Sequence, residues 1–295
     1  MVDQDTTFER DLDALLAGRG FVDLSGWRSI RVSGADATAW LHDLLTADTA
    51  GLMPGAACRS LLLTPTGHIR ADVQVIRRRE DILLVQDPVQ PEDVAAALRP
   101  YVLSADVIVE DVAGAVALLA LPDAAAPPVG MAASAPSLFG AGVDLVVDEP
   151  ERRAVGAALR AAGFRACPRP AADAWRIVRG VPTMGTEFDT RSIPAEAGLD
   201  DLIDTTKGCF LGQESVARVR NLGHPPRVLR HVRCSTRLAR GAQVRGAGDA
   251  IVGDVTSATR YDDGWIGFVR VAWSAATARL ADIDGHPLRD LQPSG

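Results

Sequence analysis

Lys207-Gly208-Cys209-Phe210-Leu211-Gly212-Gln213-Glu214, reading KGCFLGQE, is the stretch on which the chain turns. Upstream, Glu187 to Asp204 carries six acids (Glu187, Asp189, Glu196, Asp200, Asp201, Asp204) against one base, Arg191. Downstream, Ser215 to Gly248 reverses the sign, with eight arginines (Arg218, Arg220, Arg227, Arg230, Arg233, Arg237, Arg240, Arg245) and no acid. The octapeptide also holds the sole lysine, because 30 of the 31 basic residues are arginine. In a chain that writes Arg for almost every positive charge, Lys207 marks a place for a compact, rotatable ammonium rather than a planar fork. The bland alternative is a surface lysine.

With 295 residues, 47% of them hydrophobic and 23% charged, the chain has the balance of a soluble globular protein with two or three cores. It contains no apolar run of the roughly 18 residues that a membrane span needs. The polar, acidic start MVDQDTTFERD does not read as a secretory signal, so a cytoplasmic address is expected. Four scattered cysteines (Cys58, Cys167, Cys209, Cys234) form no CxxC pair. Free thiols in a reducing compartment are expected, with no metal bound stably by the chain alone. A net charge of −7 argues against nucleic acid as a partner, whereas the arginine-rich stretch admits an anionic ligand at one locality. Solvated charge scattered over strands and helix ends is the competing reading of those arginines.

Phe8 to Leu16 reads as a short entry helix and Ser29 to Val32 as a strand. Ser33-Gly34 then opens a helix, with Ser33 as candidate cap and Ala37, Trp40, Leu41, Leu44 and Leu45 as its apolar stripe. Arg59 to Leu63 and Ile69 to Ile76 form a hairpin turning at Thr64 to Gly67, followed by a strand at Ile82 to Val85. A helix over Pro91 to Leu103 and a strand at Val107 to Val109 complete an α+β unit with helices on one face. No GxGxxG follows a strand, so a dinucleotide site has no support. Further on come a strand at Val116 to Leu121, an Ala/Pro-rich surface loop from Pro122 to Pro136, and a strand at Asp144 to Val147. Helices are expected at Pro150 to Ala162, closed by Gly163, and at Ala172 to Arg179. Pro182 to Ile203 is irregular and Gly212 to Arg220 helical. Short β-type runs at Val228 to Val232, Ile251 to Val255, Trp265 to Val271 and Leu280 to Ile283 point to a small barrel.

Cys209 sits in a Gly-flanked turn just ahead of a helix, with Lys207 two residues before it. A helix N-terminus and neighbouring cations favour thiolate, so Cys209 is the best candidate for a reactive sulfur; the alternative is an inert buried cysteine. Gly208 and Gly212 would let backbone approach a flat ligand, and Gln213 and Glu214 offer an amide and a carboxylate to a heterocycle edge. Equally, Glu214 could only complement the first helical turn. Asp72, in the second hairpin strand, is a general acid/base candidate or a plain strand residue. The histidines show no ligand spacing, and spacing alone names no reaction.

Trp175 to Arg218, WRIVRGVPTMGTEFDTRSIPAEAGLDDLIDTTKGCFLGQESVAR, resembles the signature region of the folate-binding YgfZ family, relatives of the glycine-cleavage T-protein, an aminomethyltransferase. KGC[FY]xGQE is the hallmark of that branch. VDLSGWRSIRVSGADATAWLHDLLTAD and LLLTPTGHIRADVQVIRR resemble the family's opening and its hairpin. The resemblance implies an α+β, three-part cloverleaf around a central cavity, with a small C-terminal β-barrel. The expected parts are 1–113, a first α+β domain; 114–226, a second carrying the signature; and 227–295, the barrel. It also implies tetrahydrofolate or a derivative as ligand, and iron–sulfur enzymes or assembly proteins as partners. Residue by residue, the essential motif cysteine falls on Cys209, with Lys207, Gly208, Gly212, Gln213 and Glu214 around it. Arg218 and Arg227 occupy positions of basic residues near the folate, whose glutamate carboxylates arginines could hold.

The sequence departs from the T-protein where that enzyme works on the folate-borne carbon. Ala71-Asp72 keeps only the second of two adjacent acids, Gln86 replaces an Asn after the third strand, and Val178 replaces a Glu. Three readings follow: a folate-dependent accessory factor for iron–sulfur proteins, an aminomethyltransferase-like enzyme, and a non-catalytic scaffold of the same fold. The departures favour the first over the second.

Overall fold

A computed structural model describes residues 2–128, 130, 131 and 136–291. The chain divides into two compact units: Met1–Leu63 with Arg70–Ala172 and Leu202–Leu211, and Thr64–Ile69 with Asp173–Asp201 and Gly212–Gly295.

The first unit opens with α1 (Val2–Leu16), which starts six residues before the expected Phe8. Next come β1 (Gly20–Asp23), β2 (Arg28–Ser33), α2 (Ala37–Leu44), β3 (Ala57–Leu63), β4 (Ile69–Arg77) and β5 (Ile82–Gln86). Then follow α3 (Val94–Leu98), β6 (Ile108–Asp111), β7 (Val116–Pro122), β8 (Gly142–Asp148), α4 (Arg152–Ala161), β9 (Arg165–Ala166) and α5 (Arg169–Val178), the last running across the unit boundary. A five-stranded sheet has the order β3-β4-β5-β2-β6, and a four-stranded sheet the order β8-β7-β1-β9. The short β1 and β9, too brief to show a period, pair in parallel. The expected loop from Pro122 to Pro136 lies partly outside the described residues.

The five-stranded sheet buries its alternate residues Ile30, Val32, Val73, Val75, Ile82 and Leu84 with Ala37, Leu41 and Leu44 of α2 and Val94, Ala97 and Leu98 of α3. This is the core that the apolar stripes foretell. Several helix limits differ from expectation. Ser33 is not a cap; it ends β2, and Asp36 is the N-cap, its carboxylate accepting instead from the Asp106 backbone N–H at 2.8 Å. Between them Gly34 has φ 115°, and a Cβ there would sit 2.1 Å from the Asp106 carbonyl oxygen, so only glycine lets the chain leave β2 at this point. Leu45 is extended and ends α2 rather than continuing its stripe. Helix α3 is much shorter than Pro91 to Leu103. The Asp93 carboxylate caps it by accepting from Ala95 and Ala96 N–H, and a 3₁₀ turn at Arg99–Tyr101 containing Pro100 ends it.

The second unit holds α6 (Gln213–Leu222) and the strands β10 (Arg227–Cys234), β11 (Gln243–Arg245), β12 (Ile251–Tyr261), β13 (Gly264–Ala272), β14 (Leu280–Ala281) and β15 (Pro287–Asp290). The strands close a barrel in the order β10-β13-β12-β11-β14-β15. Pairing of Val232 with Asp290 and of Arg233 with Arg289 seals the seam. Its interior is filled by Val232, Val244, Val255, Val269, Val271 and Leu280.

A buried ion pair ties the 173–188 segment to this barrel. Glu187, whose side chain is fully enclosed, accepts from Arg176 Nη1 and Thr183 N–H at 2.8 Å each, and from Ser257 Oγ at 2.5 Å. A register shift in β12 between Val255 and Ser257 is what aims Ser257 at it. Removing one member strands the other charge in a dry site. Glu187→Ala is expected to lower the unfolding free energy by about 3–5 kcal/mol. A fall in the urea midpoint at constant slope measures it, and Arg176→Met combined with Glu187→Leu should cost less than Glu187→Ala alone.

Candidate functional site

The C-terminus of α2 presents carbonyls with no helical partner, at the negative end of its dipole. The Lys207 ammonium meets them. Nζ donates to the carbonyl of His42 in the last turn, to Leu45 O at 2.6 Å and to Ala47 O at 3.0 Å. It also lies 5.5 Å from the centre of the Phe210 ring. All three ammonium hydrogens are thereby used. Burial holds the Lys207 pKa below its ordinary value, against the opposing pull of Asp48, Asp43 and Asp204.

The lysine reaches that position because its approach is stitched to the same loop. Thr46 Oγ1 donates to Leu202 O at 2.8 Å, and the Asp204 N–H to Thr46 O at 3.0 Å. Asp204 then accepts from the N–H of Thr206 and Lys207, an Asx turn that aims the side chain inward. Beyond Lys207, Phe210 is buried and Leu211 packs on the five-stranded core. Gly208 stands in open space and Cys209 is exposed between these two anchors.

The other thiols differ. Cys167 and Cys234 are buried and Cys58 half-buried. Burial pushes the Cys58 thiol up to about 11 and the Cys167 thiol up to about 12. Cys209 is therefore the accessible sulfur of the four. Helix α6 begins at Gln213, with Phe210, Leu211 and the cap Gly212 (φ 85°) between it and Cys209 in sequence.

The remaining nominated residues separate into different settings. Gln213 is half-buried, while Glu214 and Arg218 are exposed on α6. Within the same unit, the Pro65 carbonyl accepts from Ser215 Oγ at 3.1 Å, and Gly67 (φ 80°) sits so close that an added Cβ would lie 2.8 Å from the Ser215 Cβ. Arg227 is exposed at the start of β10, 3.4 Å from Glu196. Asp72 is closed by a two-pronged pair with Arg59 at 2.8 and 2.6 Å, and the Gln90 amide brackets its backbone N–H and carbonyl. Gln86 is fully enclosed. Its Oε1 accepts from Val94 N–H and Arg28 Nη1, and its Nε2 donates to Glu92 O and Gln90 Oε1.

Nor do the downstream arginines make one cationic wall. Arg230 pairs with Asp290, Arg233 with Asp262 and Asp263, and Arg245 with Asp249, while Arg237 stacks over Trp265. A cavity of about 370 Å³ in the second unit, lined among others by Arg179, His231, Phe268 and Asp290, includes none of the nominated residues. Among the described residues, one group of metal-type ligands occurs, Asp282, Asp284 and His286. There Asp282 already accepts from the N–H of Asp284 and His286, as the organiser of a turn.

The comparisons with known proteins agree with this architecture. The chain superposes on the crystal structure of the glycine cleavage system aminomethyltransferase T of Bartonella henselae with a TM-score of 0.81 at 21% identity, covering 96% of this chain and 88% of that one. The fold is that of the T-protein. Residues 3–127 match the family model described as the GCVT N-terminal domain. The chain is 28% identical over 284 residues to the aminomethyltransferase of Streptomyces avermitilis, covering 83% of this chain and 75% of that protein. It is 29% identical over 259 residues to that of Geobacillus kaustophilus, covering 77% and 71%. It spans 56% of a chloroplastic Arabidopsis thaliana protein whose name is "putative transferase", with 28% identity over 246 residues, 72% of this chain. On this T-protein-like α+β frame with its closed six-stranded barrel, no described helix is long and apolar enough to cross a membrane.

The sequence could not reveal the partners of Lys207, which lie about 160 residues away and are backbone carbonyls with no side-chain signature. The Lys207 clamp predicts that Lys207→Met lowers stability by about 1–3 kcal/mol in thermal or denaturant melts. Lys207→Arg should not fully recover the loss, because a guanidinium is wider than an ammonium and spreads its donors in a plane, whereas these three carbonyls are drawn to one compact nitrogen. In the folded protein, maleimide at pH 7.5 should label Cys209 first, with mass mapping showing the other three protected until denaturant is added.

Proposed function

We propose that this protein is a tetrahydrofolate-binding accessory factor of the YgfZ type, acting in the cytoplasm in support of iron–sulfur enzymes, with Cys209 as its working thiol. The observation that carries this reading is the setting of Cys209. It is exposed on a loop fixed by Lys207 on one side and by Phe210 and Leu211 on the other, while Cys167 and Cys234 are buried and Cys58 is half-buried. A thiol held outward on a rigid mount suits contact with a partner's sulfur, cluster or electrophile. The T-protein-like fold, and relatives named aminomethyltransferases, support a reduced folate as the ligand.

The residues fit binding better than one-carbon chemistry. Asp72, the carboxylate an aminomethyltransferase would need, is neutralised by Arg59, and Gln86 has both amide ends engaged in holding the start of α3. Gly212, Gln213 and Glu214 would supply backbone approach and polar edge contacts to the pterin. Exposed Arg218 would face the glutamate carboxylates, with Arg227 shared between them and Glu196.

Titration calorimetry with 5-formyltetrahydrofolate on the full chain, together with complementation of a strain lacking the gene, tests both halves. Wild type and Cys209→Ser should bind the folate alike, with Cys209→Ser failing to restore iron–sulfur enzyme activity. Absence of folate binding, or full rescue by Cys209→Ser, overturns the proposal.

A further inference from the structure

His231 stands in the middle of β10, directly across from Phe268 of β13. Both alternate with residues of the barrel interior, Val232 and Val269, so their rings lie together on the outer face, 4.9 Å apart and tilted by 32°. The chain at the end of α5 reaches this face at Ile177 and Gly180. His231 Nε2 lies 2.7 Å from the Ile177 carbonyl, a contact that only an N–H can make. The proton of the neutral ring is therefore fixed on Nε2, and Nδ1 is left as an acceptor. Among the described residues Nδ1 has no hydrogen-bond partner. Burial lowers the pKa of the ring, against the bond to Ile177, and keeps Nδ1 unprotonated at neutral pH.

Gly180 decides what Nδ1 can meet. It has φ 74°, and a Cβ added there would lie 3.1 Å from Nδ1 and 3.4 Å from Cε1 of the same ring. With glycine in place the nitrogen edge stays uncovered, and Gly180 and His231 both line the cavity of about 370 Å³ in the second unit. Leu229, Phe268, Pro182 and Leu291 supply apolar wall. Of the charged groups in the lining, Arg230 is committed: Nε and Nη2 donate to Asp290, and Nη1 to the carbonyls of Ala275 (3.1 Å) and Ala278 (2.7 Å). Arg179 also lines the cavity, and a guanidinium is a compatible neighbour for an aromatic face.

We infer that this cavity is a binding site for a small neutral aromatic ring bearing one N–H donor, of the indole type, separate from the residues nominated for the folate. The acceptor at Nδ1 selects for the donor, because a ring without one would cut that nitrogen off from water and leave it unpaired. The apolar walls and the Phe268 ring select for a flat hydrocarbon body, and the volume limits it to a small one. The fixed tautomer gives the recognition a direction. Nδ1 accepts and does not donate, so a ring that offers only acceptors is refused at this position.

Titration calorimetry and nitrogen NMR of the full chain, with indole as the probe and 1-methylindole as its donor-less counterpart, test the site. Indole should bind and move the His231 Nδ1 resonance upfield. 1-Methylindole should bind about tenfold more weakly and leave that resonance in place. His231→Phe keeps an aromatic wall without the acceptor and should bind both rings alike. If that variant does not fold, the two wild-type titrations with their nitrogen readout decide alone. Saturating 5-formyltetrahydrofolate should not displace indole. No indole binding at millimolar concentration, equal affinities in wild type, discrimination surviving in His231→Phe, or displacement by the folate overturns the proposal.

Discussion

One ammonium on three carbonyls sets the geometry of the signature loop. A helix that ends inside a protein must place its last carbonyls somewhere, and α2 places them on Lys207. The arrangement takes a half-buried cation partly out of water, tolerable because three oriented dipoles and the Phe210 face replace part of its hydration. The chain from Leu202 to Leu211 is consequently held as part of the first unit although it lies far from that unit's other segments in sequence. Cys209 owes its outward position to this anchoring.

The same economy explains why the charged residues near the expected site are not simply reactive groups. Asp72, Arg59 and Gln90 satisfy one another, and Gln86 accepts from Arg28 and from the first N–H of α3, that of Val94. A polar network closed in this way gives shape and rigidity to the sheet and leaves no group spare for proton transfer. In the barrel Arg230, Arg233 and Arg245 pair with local acids, so part of a run that is strongly basic in sequence becomes ion pairs in space. Arg218 and Arg220 stay exposed on α6, with Glu214 on the same helix.

Much of this was legible in the residues themselves. The stripe of Ala37, Leu41 and Leu44, the alternation along Ile69 to Ile76, and the short β runs after Val228 located the helix, the hairpin and most of the barrel, because each repeats with the period of its element. The singular Lys207 was legible as a special position. Its role was not, since lysine spacing carries no trace of carbonyls that arrive from α2. Strands β1, β9, β11 and β15 escaped notice because two to four residues are too few to display a period. Helix ends moved wherever a side chain chose a tertiary partner over a local one, as Asp36 did with Asp106.

The sequence by itself determined the α+β class, the closed barrel and the octapeptide as the place where a lone lysine and an accessible thiol come together. These follow from local period, turn residues and composition, which are properties of short stretches. Only the tertiary structure decided that the ammonium serves the end of α2, that Asp72 is locked by Arg59, and that Arg230, Arg233 and Arg245 pair with separate acids. Each of those depends on which distant groups are brought within a few ångströms, where desolvation and pairing outweigh any local preference.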